Sequence, residues 1–205
     1  MNYFREAIHS LEEYTPGEQP EEEGYIKLNT NENPYPPSPL VEEKVTEALR
    51  QGKISLYPPP LGGKLREKAQ EVYGFPQDWI AVGNGSDELL NLLFRLFLDK
   101  GDEVVYPFPT YTLYRTLAFL QEAEKEEIPF PPDFSLPESL FTCPAKLKIV
   151  CNPNSPTGTF VSLSQIEKLL SLSSCPVIVD EAYVDFATGS VLPLLRDFPN
   201  LIIVR

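Results

Sequence analysis

Short runs of apolar, largely β-branched residues recur along the chain at Glu103 to Tyr106, Leu147 to Cys151, Val177 to Val179 and Leu201 to Val204, each bounded by proline, glycine or charge. Runs of this length predict strands buried on both faces. Trp79 to Val82 reads as another short strand, and a further one is expected near Glu126 to Ile128. Between these runs the spacing changes to that of helices. Ser38 precedes Pro39, and Leu40, Val41, Val45, Ala48 and Leu49 fall on one helical face before Gly52, which predicts a capped helix with proline in its first turn. A second helix fits Lys64 to Tyr73 with Gly74 as its stop, a third runs from Ser86 to Leu98, and a fourth ends near Leu120. A helix capped by Ser162 or Ser164 and a helical turn from Ser190 to Arg196 complete the series.

Strands alternating with helices predict a mostly parallel sheet covered on both faces, a three-layer α/β/α sandwich. Residues 1–37 read differently. A short helix near Tyr3 to Leu11 leads into proline, asparagine and glutamate in high density, with Tyr25 to Leu28 strand-like. This is a turn-rich arm, and residues 38–205 form the α/β domain.

The strand Val177 to Val179 runs straight into Asp180 and Glu181. In open parallel sheets ligands bind outside the carboxyl ends of the strands, so Asp180 is the candidate for a ligand contact, with Tyr183 one turn on. An unpaired buried carboxylate is costly. Arg196 and Arg205 have no local reason to reach it, whereas the protonated ring nitrogen of a cofactor would serve. Upstream, Gly83-Asn-Gly-Ser-Asp87 is a glycine turn at a helix start, which suits an anion at free backbone N–H groups as well as plain capping. Leu56-Tyr-Pro-Pro-Pro60 holds Tyr57 out on a stiff loop.

The formal charge of −13, with 30 acidic against 17 basic residues, argues against a nucleic-acid partner. Cys143, Cys151 and Cys175 are widely spaced and His9 is the sole histidine, so neither a metal site nor a histidine triad is expected. The thiols suit a reduced, cytoplasmic setting. No apolar stretch suggests a secretion signal or a membrane span.

Asn152-Pro-Asn-Ser-Pro-Thr-Gly158, Val179-Asp-Glu-Ala-Tyr183 and Gly83-Asn-Gly-Ser-Asp87 together resemble the fold-type I pyridoxal-phosphate aminotransferases of class I/II. Leu28-Asn-Thr-Asn-Glu-Asn-Pro-Tyr-Pro-Pro-Ser-Pro39, Leu56-Tyr-Pro58 and Pro107-Phe-Pro-Thr-Tyr111 narrow the resemblance to the histidinol-phosphate aminotransferase group. The likeness covers nearly the whole chain. It implies a large cofactor-binding domain holding pyridoxal 5'-phosphate, with histidinol phosphate as amino donor and 2-oxoglutarate as the 2-oxo acid. By the same resemblance Asp180 pairs with the pyridine nitrogen, Tyr183 with the ring oxygen, and Gly85, Ser86 and Asp87 with the phosphate. Tyr111 stacks on the ring, Tyr14 and Asn33 of the arm face the substrate, and Tyr57 reaches the cofactor of a neighbouring subunit in a homodimer.

Two departures stand out. The residue before Pro-Thr-Gly is asparagine in most relatives and Ser155 here, so either Ser155 or Asn154 serves the ring oxygen. The family's Schiff-base lysine would fall beyond Arg205, and none of the ten lysines in the chain substitutes for it. No catalytic residue is therefore expected within the chain, which reads as an incomplete large domain, the first part of an aminotransferase. The alternatives are half of a split enzyme, a non-catalytic remnant of the fold that binds the cofactor or a partner chain, and, within the family, another aminotransferase or a threonine-phosphate decarboxylase.

Overall fold

The computed structural model describes residues 3–11, 17–19 and 24–205. The described chain forms two units, residues 12–82 and residues 1–11 with 83–205.

In the first of these, α1 (Pro39–Arg50) begins as expected, with Pro39 in its first turn and Ser38 at the cap position, although the serine side chain makes no capping bond. After a 3-10 turn at Lys53–Ser55 comes α2 (Gly63–Tyr73), stopped by Gly74 in the left-handed conformation. Gly62 has φ +59, and a Cβ there would lie 2.5 Å from a methyl of Val82, so both backbone and space exclude a side chain. Neither helix contains a buried residue. The expected strand at Trp79 to Val82 is absent. Gln77–Trp79 is a 3-10 turn, and Ile80 is extended (φ −116, ψ 117) but enters no ladder. Tyr25 to Leu28 likewise forms no strand. Apolar, β-branched sequence favours the extended backbone, but a strand also needs a hydrogen-bonded neighbour, which neither segment has among the described residues.

The second unit holds the sheet. Its strands are β1 (Glu103–Phe108), β2 (Glu124–Pro129), β3 (Leu147–Cys151), β4 (Val177–Asp180) and β5 (Leu201–Val204), in the spatial order β2-β1-β3-β4-β5 and all parallel. Helices α3 (Gly85–Phe97), α4 (Leu113–Leu120), α5 (Glu138–Thr142) and α6 (Leu163–Leu172) cover it. The two-residue alternation of the strands sorts the core into two layers. Val104, Tyr106, Leu147, Ile149, Cys151, Ile178 and Val204 pack with Leu90, Phe94 and Leu98 from the α3 segment and Tyr114, Leu117 and Ala118 of α4. Val105, Val150, Val177, Val179 and Leu201 face the other way, against Leu140 and Phe141 of α5 and Ile166, Leu169 and Leu170 of α6. This is the predicted α/β/α arrangement.

Two local readings change. The helix expected at Tyr3 to Leu11 shrinks to a 3-10 turn at Glu6–Ser10, beside which Arg5 pairs with Glu122. The short helix α5 was not foreseen: Pro137 opens it, and Leu140 and Phe141 bury one side of a single turn, too short to show a period. No helix among the described residues is long and apolar enough to cross a membrane.

Candidate functional site

The β4 register sets Asp180 opposite Cys151 at the carboxyl ends of their strands. Period-two alternation aims Asp180 to the side of Ile178, towards α3 and α4, and Asp180 is only 2% exposed. Its carboxylate accepts two hydrogen bonds, from the Tyr114 hydroxyl at 2.7 Å on Oδ2 and from the Ala182 N–H at 3.1 Å on Oδ1. No basic side chain pairs with it among the described residues. Burial, reinforced by the negative charge of Asp87, raises its pKa, while the two donors pull it down without cancelling the effect.

Arg205 goes elsewhere. Its guanidinium donates through Nε and Nη2 to Oε2 of Glu181, at 3.0 and 2.8 Å. Glu181 has a fully buried side chain and also accepts from Ser190 Oγ and from the Val191 N–H. The adjacent carboxylates thus have opposite fates: Glu181 is neutralised within the chain, and Asp180 is held only by neutral donors.

Asp87 and Tyr111 lie close enough to Asp180 for their charges to act on one another, and Tyr183 lies close to Tyr111. Gly85 opens α3 with φ +81, a backbone that a side chain would strain. The cap residue Asn84 makes no side-chain bond to the helix end. Ser86 is half-buried, and Asp87, on the first turn, accepts a hydrogen bond from the Tyr111 hydroxyl at 3.1 Å. Partial burial and the Asp87 charge push the Tyr111 phenol up to about 12, with Tyr183 and Asp180 adding to the effect. Tyr111 meets Tyr114 edge to face at 5.8 Å, and Tyr114 bonds Asp180, so an unbroken series of contacts joins the α3 end to β4.

Asn154 is spent on structure. Its Nδ2 donates to the Pro109 carbonyl at 3.0 Å and to Thr157 Oγ1 at 2.8 Å, while Oδ1 accepts from Thr110 Oγ1 at 2.8 Å. Both amide hydrogens are thereby used, and Asn154 ties the loop after β3 to the loop after β1. Ser155 is half-buried, and its hydroxyl makes no hydrogen bond among the described residues.

Asn33 and Tyr57 belong to the other unit. Asn33 is exposed and its Oδ1 accepts from the Tyr35 N–H at 3.0 Å, an Asx turn, while the Tyr57 side chain is fully exposed. Tyr14 lies outside the described residues. The sequence reading missed Tyr114, Thr110 and Cys151. Tyr114 follows Tyr111 by three positions across the start of α4, a spacing that brings their rings together and could have flagged it. Cys151 is buried beside Asp180, which helps push its thiol up to about 11 after burial itself. No group of three or more metal-ligating side chains occurs among the described residues.

A parallel sheet with a buried carboxylate at the carboxyl end of an inner strand marks an α/β protein, and the carboxyl ends of the strands are where proteins of that class bind their ligands. Residues 23–205 match the family model described as aminotransferase class I and II, and the chain belongs to that family. Over its whole length it is 45% identical to histidinol-phosphate aminotransferase 1 of Trichormus variabilis, covering 59% of that protein. Over 98% of its length it is 43% identical to the histidinol-phosphate aminotransferase of Rhodopirellula baltica, covering 56% of it. The fold matches the crystal structure of histidinol-phosphate aminotransferase from Sinorhizobium meliloti in complex with pyridoxal-5'-phosphate, with a TM-score of 0.79 at 21% identity, over 99% of this chain and 58% of that one. The chain thus spans rather more than half the length of these relatives.

Proposed function

We propose that the chain is the cofactor-binding part of a pyridoxal-phosphate aminotransferase that moves the amino group of histidinol phosphate to 2-oxoglutarate in histidine biosynthesis. The observation that carries this reading is Asp180, buried at the end of β4 with two neutral donors and no basic partner among the described residues. A carboxylate so placed fits a protonated pyridine nitrogen. The identity to histidinol-phosphate aminotransferases along the whole chain supports the choice of substrates.

Pyridoxal phosphate, when bound, supplies an electron-accepting ring that stabilises negative charge at the substrate α-carbon. The residues of the chain divide the work of holding it. Asp180 receives the ring N–H and keeps the nitrogen protonated. Tyr111 lies against the ring face, and the Tyr183 hydroxyl donates to the ring oxygen. Ser155 joins it there, because both amide hydrogens of Asn154 are committed to Pro109 and Thr157. The backbone N–H groups of Gly85, Ser86 and Asp87 receive the phosphate, helped by the positive end of the α3 dipole. The Asp87 carboxylate opposes that charge, and its bond to Tyr111 turns it to the ring side. Tyr14 and Asn33 face the substrate, and Tyr57 of the partner subunit completes the phosphate site in a cytoplasmic homodimer. In this reading residues 1–37 are an arm, residues 38–205 an incomplete large domain, and the Schiff-base lysine lies outside the chain.

The test is a titration of the purified chain with pyridoxal phosphate, followed by borohydride reduction and peptide mapping. Saturable binding that Asp180→Ala abolishes is expected, with no stoichiometric adduct on any lysine and no turnover of histidinol phosphate by the chain alone. Absence of binding by the wild-type chain would refute the site. A specific lysine adduct accompanied by transamination would show that the chain carries its own catalytic amine.

A further inference from the structure

One buried phenol has no task in this scheme. Tyr114 lies on the first turn of α4 with no exposed surface, and its hydroxyl is 2.7 Å from Oδ2 of Asp180. Its ring is held edge-on by Tyr106 and Tyr111, at centroid separations of 5.7 and 5.8 Å. Phenylalanine would fill the same ring volume without the cost of burying a hydroxyl, so whatever the oxygen contributes it contributes through its partner.

That partner is constrained from two sides. Tyr114 holds Oδ2 and the Ala182 N–H holds Oδ1, so the carboxylate plane is fixed and each oxygen keeps a free lone pair. The titratable groups around Asp180 are Tyr114 from α4, Asp87 from α3, Cys151 from β3, and Tyr111 and Tyr183 from the flanking loops, with no basic group among them. Burial and Asp87 work against the ionised form, and Tyr114 heads the groups that favour it. Burial, together with Cys151 and Asp180, raises the Tyr114 phenol well above its usual range, so it stays a donor wherever the protein is folded.

We propose that Tyr114 is a positioning residue for pyridoxal phosphate, acting through Asp180: its hydroxyl fixes the orientation of the carboxylate and keeps it charged to receive the ring N–H. The ligand rests on the cofactor reading above, whereas the effect on Asp180 is measurable with no cofactor present. The variant is Tyr114→Phe, which keeps the ring contacts. Asp180 is followed by carbon NMR of aspartate-labelled chain, its signal assigned with Asp180→Asn. Loss of the donor should move the Asp180 titration to higher pH by about one unit and weaken pyridoxal-phosphate binding about tenfold. Leu117→Ala, which removes packing from the same apolar layer but neither donor, should lower the melting temperature and leave the titration in place. An unchanged Asp180 titration in folded Tyr114→Phe overturns the proposal. If that variant does not fold, 3,5-difluorotyrosine at position 114 keeps the shape and strengthens the donor, and a titration that fails to move to lower pH overturns it equally. A wild-type chain that binds no pyridoxal phosphate, with the titration shifting as expected, would defeat the cofactor reading and with it the ligand named here. The two failures therefore appear in separate signals.

Discussion

Asp180 and Glu181 are sequence neighbours of one chemical type, and the fold treats them oppositely. Glu181 is fully buried against Arg205, whose side chain is 24% exposed. Removing the cation by Arg205→Ala strands a buried charge, which should destabilise the protein by about 2 to 3 kcal/mol, below the usual cost of breaking a fully buried pair because water reaches the arginine. Urea denaturation measures this, and a loss under about 0.5 kcal/mol, the range of an exposed pair, would contradict it. Asp180 behaves in the other sense. Its folded pKa is raised, mainly by burial, so its contribution to stability is full below the ordinary carboxylate value of about 4 and is lost as pH climbs through the folded value. The stability of the wild type relative to Asp180→Asn should therefore fall as pH rises above about 4, and a pH-independent difference would sink the idea. The place of Asp180, Tyr111, Asn154 and Tyr183 at the carboxyl edge of the sheet was legible in the sequence, because Asp180 ends a strand and the others follow one. Tyr114 and Arg205 were not, since each is defined by a partner 66 or 24 positions away. Nor could the sequence decide between Asn154 and Ser155. That choice depends on where Pro109, Thr110 and Thr157 fall around the amide.

At the level of elements, the five strands of the sheet and the long helices were readable from periodicity and punctuation. A buried parallel strand leaves a dense apolar run, and a helix end leaves proline or glycine, as at Pro39 and Gly74. Trp79 to Val82 failed for a reason that local sequence does not record: being a strand is a property of a pair. The same loops show how elements are joined at the site. Asn154 takes a hydrogen bond from Thr110 and gives others to Pro109 and Thr157, so the turns after β1 and β3 are fixed to each other before any ligand arrives. Preorganisation of this kind lowers the ordering cost of binding.

Across the whole molecule burial is uneven. The unit containing the sheet has two apolar layers, whereas α1 and α2 contain no buried residue and Leu40, Val41, Val45 and Leu65 are exposed. Amide protection follows buried contacts. In hydrogen-exchange mass spectrometry of the 205-residue chain, β1, β3 and β4 should be the slowest segments, and α1 and α2 should exchange at least tenfold faster, corresponding to about 1.4 kcal/mol of local stability. Equal protection of α1 and β4 would show that the helices are covered in solution.

The sheet itself has two unlike edges. On β2 the exposed residues Glu124, Lys125 and Glu126 line the outer side, while β5 is Leu201-Ile-Ile-Val204 and has β4 as its one neighbour among the described residues. A charged edge resists the addition of a further strand and an apolar one invites it. The charges along β2 thus give that border of the sheet a second role beyond solvation, guarding it against the addition of a foreign strand.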